Sequence, residues 1–204
     1  MSANGRVITG FSDPWVALYA HTGTTITYTS GTVLARGVSV QLTPDDIADD
    51  NIFYADNQPA EYASGVFKGA DLTLTVDGLH DAARKLVMGL PAATTTTVGT
   101  GTVSVTHFGD SQSIPYIGVG FVTRYMSDGV TSYAATVLNK CKFKQLNHNA
   151  ATQEENIDWQ TQEITGRVLR DDSADHEWKM VSEGLSSEAE ALNTVKVLLG
   201  VALS

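Results

Sequence analysis

Ser111 follows Gly109 and Asp110 in the stretch HFGDSQS, residues 107–113. A serine in that setting attacks an ester when a histidine takes its proton. In the serine-esterase arrangement that shares these letters, the serine opens a helix whose backbone N–H groups form an oxyanion hole, and an aspartate three residues before a histidine supplies orienter and base. Here the following run, QSIPYIGVGFV, contains a proline and is rich in β-formers. Late in the chain, DDSADH places Asp171 and Asp172 five and four residues before His176, with Asp175 beside it. That spacing separates base from orienter. Gly-Asp-Ser is also ordinary turn chemistry between strands, and the stretch reads as a loop. A serine hydrolase using Ser111 stays as the remote alternative.

Metal and phosphate chemistry find no better footing. His21, His80, His107, His148 and His176 form no i, i+4 pair, and Cys141 is the single cysteine. TPDDIADDN gathers Asp45, Asp46, Asp49 and Asp50, yet it lacks the ligand spacing and central glycine of a calcium loop. No glycine run ends in Gly-Lys-Ser or Gly-Lys-Thr. We expect no metal, no cofactor and no catalysed reaction. NKCKFKQ puts Lys140, Lys142 and Lys144 on one strand face and Cys141 and Phe143 on the other. Such a stripe is read as an exposed or edge face protected by charge, against the alternative of a nucleic-acid patch.

The elements that must carry these residues follow from composition and period. The chain of 204 residues suits one domain with a sizeable core, 1–204. Its 13 basic and 23 acidic residues give a net charge of −10, which argues against gripping nucleic acid through phosphates. No apolar run is long enough to suggest a membrane span, the start lacks a signal-peptide core, and one cysteine fits synthesis in a reducing cytoplasm.

The dominant period is two. DLTLTVDGL places Leu72, Leu74 and Val76 on one face and Asp71, Thr73, Thr75 and Asp77 on the other. TVLARGVSVQL, GTVSVTHF and TSYAATVLN read the same way, separated by turn signals at SG 30–31, DN 56–57, DG 77–78 and SDG 127–129. LPAATTTTVGTG, residues 90–101, reads as a polar connector. Two stretches are helical. HDAARKLVMG, about 80–89, carries Ala82, Leu86 and Val87 on one side and stops at Gly89. SSEAEALNTVKVLLG has Ser187 and Glu190 at capping-box spacing and a stripe of Leu192, Val195 and Leu199, predicting a helix over about 187–199. The fold class is mainly β, with a short flanking helix and a C-terminal helical extension over about 184–204.

Two longer blocks carry a resemblance. NIFYADNQPAEYASGVFKGADLTLTVDGLHDAARKLVMG has a YADN hairpin leading through an alternating strand into a short helix. VLNKCKFKQLNHNAATQEENIDWQTQEITGRVL has an N-C-K-F strand, an A-T-x-E-E turn and a Q-T-x-E-I strand. In this order the blocks resemble the major tail protein family of long-tailed bacteriophages, the subunits of the tail tube. The helix after Glu183 and the first 30 residues lie outside the likeness.

The resemblance implies a β-sandwich or barrel-like tail-tube domain, six copies of which close into a ring. Rings stack into a tube whose channel passes DNA into the host. It implies a structural virion protein, assembled in the bacterial cytoplasm, whose partners are further copies of itself, a tape measure protein, a tail terminator and baseplate or distal tail proteins. DNA is met only in transit. Another β-rich virion or contractile-secretion tube component of related fold is the alternative. On this reading the segment 44–68, with Asp45, Asp46, Asp49, Asp50, Asp56 and Asn57, is an arm between stacked rings. Asp71, Thr73, Thr75 and Asp77 are candidates for the channel wall, because short polar side chains leave room for a duplex, and the long lysines at 140, 142 and 144 are expected away from it. An acidic wall repels DNA and lets it slide.

Overall fold

The computed structural model describes residues 5–45, 51–63, 66–148, 150, 152 and 160–203. The protein is mainly β, with a large antiparallel sheet and two helices. Its strands are β1 (Val7–Thr22), β2 (Thr25–Val33), β3 (Gly37–Pro44), β4 (Asn51–Ala55), β5 (Gln58–Ala63) and β6 (Ala70–Val76). After helix α1 (Asp81–Met88) come β7 (Thr94–Val98), β8 (Gly101–Val105), β9 (Ile117–Ser127), β10 (Val130–Phe143), β11 (Gln162–Leu169) and β12 (Lys179–Leu185), then helix α2 (Glu188–Leu198).

The main sheet runs β2-β1-β9-β10-β11-β6-β3, with β12 also on β10. Long strand β10 makes the arrangement possible. On the side away from β9, its residues Tyr133–Leu138 pair with β12 and its residues Lys140–Phe143 pair with β11. A register shift between Leu138 and Cys141 on the β9 side marks the bend. The sheet curls until β3 lies beside the first half of β1. No ladder joins those two strands among the described residues. A Cβ on Gly37 would lie 2.3 Å from the Phe11 ring, so the approach requires glycine.

Inside the curl the alternating residues meet. Leu72, Leu74 and Val76 are fully buried with Val16, Leu34, Ile117, Val119, Leu138 and Ile164. Helix α1 adds Ala83, Val87 and Met88 to this core. Its cap is His80, whose Nδ1 accepts from the Ala83 amide (3.3 Å), and it stops at Gly89 in the left-handed region (φ 57°). Ala82 is exposed, correcting the expected stripe: the inward line is 83 and 87, one turn apart, and position 82 lies about 100° off it.

A second core lies on the other side of the sheet. Ala191, Val195 and Leu199, at successive i+4 positions of α2 and its cap, bury against Ala17, Val122, Ala135 and Val137 of the same chain. Half-buried Leu192 packs beside them. The glycines of β9 form the seat: a Cβ on Gly120 would lie 2.5 Å from Val195 Cγ1. The Ser187 hydroxyl accepts from the Glu190 amide (3.2 Å), and the Glu190 carboxylate accepts from the Ser186 amide (3.0 Å) and hydroxyl (2.8 Å). The expected capping box therefore forms with its return bond shifted one residue upstream.

Three local readings change. SG 30–31 is no turn, because β2 runs through it with Ser30 at φ 55° and a register shift opposite Val16 and Leu18, which is a bulge. TVLARGVSVQL is two strands, β2 and β3, broken at Leu34–Arg36 where Leu34 and Ala35 turn into the core. The connector 90–101 contains β7 and leads into β8 through a two-residue turn at Gly99 (φ 61°). The turns at Asp56–Asn57 and Asp128–Gly129 form as read, with positive φ at all four residues.

Candidate functional site

Strand register assembles one polar face from four strands. Across β10, β11, β6 and β3 the row Lys142, Arg167, Asp71 and Thr43 is in direct register. The next rows are Thr165, Thr73 and Gln41, then Glu163, Thr75 and Ser39. On β6, β10 and β11 these residues alternate with buried ones, for example Thr73 between Leu72 and Leu74, and on β3 with the half-buried Val40 and Leu42, so the pleat points them outward together. Asp71, Thr73 and Thr75 therefore share a face, as the alternation implied, and β3 ends it with an open edge among the described residues.

Three carboxylates at this face, Asp45, Asp71 and Asp77, are paired with arginines. Arg167 donates from Nη1 to Asp71 Oδ1 (3.0 Å) and from Nη2 to Asp45 Oδ2, so one guanidinium bridges β11, β6 and the end of β3. The two carboxylates hold the Arg167 pKa above its ordinary value, with the Asp45 hydrogen bond the larger cause. At the end of β6, Arg36 donates from Nε to Asp77 Oδ2 (2.5 Å) and from its amide to Asp77 Oδ1 (3.0 Å). That pairing lowers the Asp77 pKa. Asp71 and Asp77 are thus ion-pair partners rather than a free acidic lining.

The lysine stripe belongs to the same surface. Lys142 stands in register with Arg167, and the Lys144 amide continues the ladder by donating to the Thr165 carbonyl (2.9 Å). Lys142 and Lys144 are exposed, as read, but β10 is not an edge strand there, because β11 covers its end, and antiparallel register sets the outward residues of both strands on the side of Asp71. Lys140 differs from its neighbours. Its Nζ donates to Asp172 Oδ2 (2.6 Å) and lies 4.8 Å from the centre of the Tyr116 ring. Tyr19 donates to the same carboxylate (2.7 Å), and both bonds, that of Lys140 first, lower the Asp172 pKa. Burial raises the Tyr19 phenol.

The run DDSADH ties the β11–β12 connection to the sheet. Buried Asp171 accepts from Asn139 Nδ2 (2.8 Å), the Ser173 amide (3.0 Å) and the Ser173 hydroxyl (2.5 Å). His176 Nδ1 lies 3.1 Å from the Asp171 carbonyl. Ser111 is exposed, in a bend closed by the Gln112 amide on Gly109 O (2.9 Å), and among the described residues no hydrogen bond joins it to a histidine. His107, which precedes it, contacts Thr94 Oγ1 (2.9 Å). Among the described residues no three of His, Cys, Asp and Glu gather as metal ligands, and no helix is long and apolar enough to cross a membrane.

The expected arm is partly visible. β4 and β5 form a hairpin turned at Asp56 and Asn57. Asp45 is anchored to Arg167, while Asp46, Asp49 and Asp50 lie outside the described residues. Sequence reasoning missed Arg36, Arg167, Thr165, Gln41 and Ser39. Their signal was present, since VSVQL and EITGRVL alternate as DLTLTV does, but which runs become neighbours is decided by topology. No protein-family profile matches the chain, and no curated protein is significantly similar to it.

Proposed function

We propose that this chain is a structural subunit that assembles with copies of itself into stacked six-membered rings, forming the tail tube of a long-tailed bacteriophage. The observation that carries the reading is the polar face of β10, β11, β6 and β3, bounded by the open edge of β3. A strand edge left open in a water-soluble domain is a template for another strand. Continuing the sheet from copy to copy uses that edge and makes a closed wall from the polar face.

Such a wall suits a passing duplex. Its centre is Thr73, Thr75 and Thr165, short side chains with little to hold a phosphate. Its ionic groups are Lys142, Lys144 and Arg167 against Asp45, Asp71 and Glu163, which balance. A balanced wall neither neutralises phosphates, which would stall DNA, nor demands free acid. The chain's net charge of −10 then resides mainly on other surfaces. The order of the YADN hairpin, the alternating strand and the short helix supports the same reading, as β4, β5, β6 and α1 follow in that sequence. In this role the protein catalyses nothing, works in the virion, and meets a tape measure protein, a tail terminator and baseplate or distal tail proteins at the lumen and ends of the tube.

Sedimentation of the purified chain over a range of concentrations and salt tests the proposal. A species of six times the 21.8 kDa chain, growing into larger polymers, is expected. A monomer at every concentration up to the solubility limit contradicts it.

A further inference from the structure

The arm at 44–68 leaves the main sheet through a closed root. In the β3–β6 ladder the last registered pair is Pro44 opposite Ala70, and proline has no N–H to donate. The next bond is made by the Asp45 amide, which donates to the Gly69 carbonyl (2.9 Å). One guanidinium covers this junction. Arg167 stands opposite Asp71 and donates to it from Nη1, while its Nη2 reaches on to Asp45, at the end of β3 two strands away. A Cβ on Gly69 would lie 2.7 Å from Nη2, 3.0 Å from Nε and 3.1 Å from Cζ, so the planar group rests on the backbone of the returning limb. On that limb Phe67 stacks on Trp178, with 4.2 Å between ring centres and 10° between planes.

The two bonds of Arg167 differ in what they can do. The Asp71 bond joins neighbouring strands that the β11–β6 ladder already holds in register, and any cation opposite Asp71 would serve it. The Asp45 bond ties down the limb that departs, over the limb that returns. Holding both carboxylates at once takes a planar fork of donors, which guanidinium has and the point charge of an ammonium lacks. Beyond the root, β4 and β5 pair only with each other among the described residues. No ladder to the main sheet sets the direction of that hairpin, so its direction falls to the root. An element already aligned for a partner docks with less loss of conformational freedom.

We infer that Arg167 is a positioning residue for assembly: by tying Asp45 to the sheet over Gly69, it fixes the direction in which the β4–β5 hairpin leaves the subunit and presents the hairpin, aligned, to a second copy of the chain. The inference deepens the tube reading and rests on it for the identity of that second copy. It divides two carboxylates that share one guanidinium. Asp45 aligns the arm, and Asp71 has no part in that alignment.

Spin labels test the alignment directly. Gln58→Cys, exposed in the hairpin, and Ser39→Cys, exposed on β3, carry the labels, and the distance between them is read where the chain is monomeric. Native Cys141 is fully buried and takes no label. A narrow distance distribution is expected, broadened by Asp45→Ala and by Arg167→Lys and unchanged by Asp71→Ala. In unlabelled chains the first two substitutions should raise the concentration needed for polymer growth at least ~3-fold, the factor that one exposed ion pair carries. A wild-type distribution that is already broad, or one that Asp45→Ala leaves narrow, overturns the positioning role. Broadening with unchanged polymer growth overturns the use of the arm in assembly. If the distributions behave as expected but no chain, wild type included, forms rings, the root still holds the arm and it is the tube reading that fails.

Discussion

Gly120 and Val195 should be coupled through a single methyl-sized space. A Cβ built on Gly120 lies 2.5 Å from Val195 Cγ1, but 3.1 Å from Leu199 Cδ1 and 3.3 Å from Val137 Cγ2. Only the first is an impossible contact, so Gly120→Ala should cost ~1–3 kcal/mol by overpacking. Val195→Ala removes two buried carbons at ~0.8 kcal/mol each, with a cavity term on top, for ~2 kcal/mol. In the double variant the new methyl occupies the volume that Val195 vacates. Its cost should then stay near ~2 kcal/mol instead of the ~4 of simple addition, a coupling of ~1–2 kcal/mol. Urea unfolding reads all four proteins, under conditions where the chain is monomeric so that assembly does not add to stability. Additivity within ~0.5 kcal/mol would refute the claim that α2 is seated directly on the glycines of β9.

Replacing Thr73 and Thr75 together by lysine puts cations on the proposed channel face without touching the Asp71–Arg167 and Asp77–Arg36 pairs; on the tube proposal, virions carrying it should eject DNA more slowly, with the defect relieved by salt, and unchanged ejection would turn that face outward. Asp172 and Asp77 have lowered pKa values, chiefly through Lys140 and Arg36. Their stabilisation is complete above the ordinary carboxylate value of about 4 and is lost as pH falls through their lowered native values, so Asp172→Asn should flatten the acid limb of a stability–pH curve. The same curve run to alkaline pH should fall as the Tyr19 phenol ionises, because its raised pKa makes the neutral form the one that folding favours. Leu192→Asp places a charge in the half-buried shoulder of the α2 core and should yield aggregated or unfolded chain; a soluble folded monomer unable to form rings would put that shoulder at an interface.

Short-range physics was legible from the sequence wherever one face of an element is buried. The Leu72, Leu74 and Val76 alternation, the caps at Ser187 and Gly89 and the turns at Asp56 and Asp128 all depend on residues within a few positions. Positions that depend on partners distant in sequence were not legible. β9 is buried on both sides from Ile117 to Thr123, so no alternation marks which glycines face the helix. Lys142 looked like edge protection because nothing local reveals that β11 pairs with the end of β10. Asp71 and Asp77 looked like free acid because their arginines lie 96 and 41 residues away. The Thr-rich β7 read as a connector because a strand exposed on both faces has no apolar period to detect.

Electron microscopy of the assembled protein is the most direct test of the tube reading, because six-fold rings and an axial channel are visible without knowledge of any partner. Stacked rings whose reconstruction lines the channel with Thr73, Thr75 and Thr165, and continues the sheet across the edge of β3, are the predicted result. Monomers alone, or an assembly with that face turned to the outside and β3 unpaired, would contradict the account.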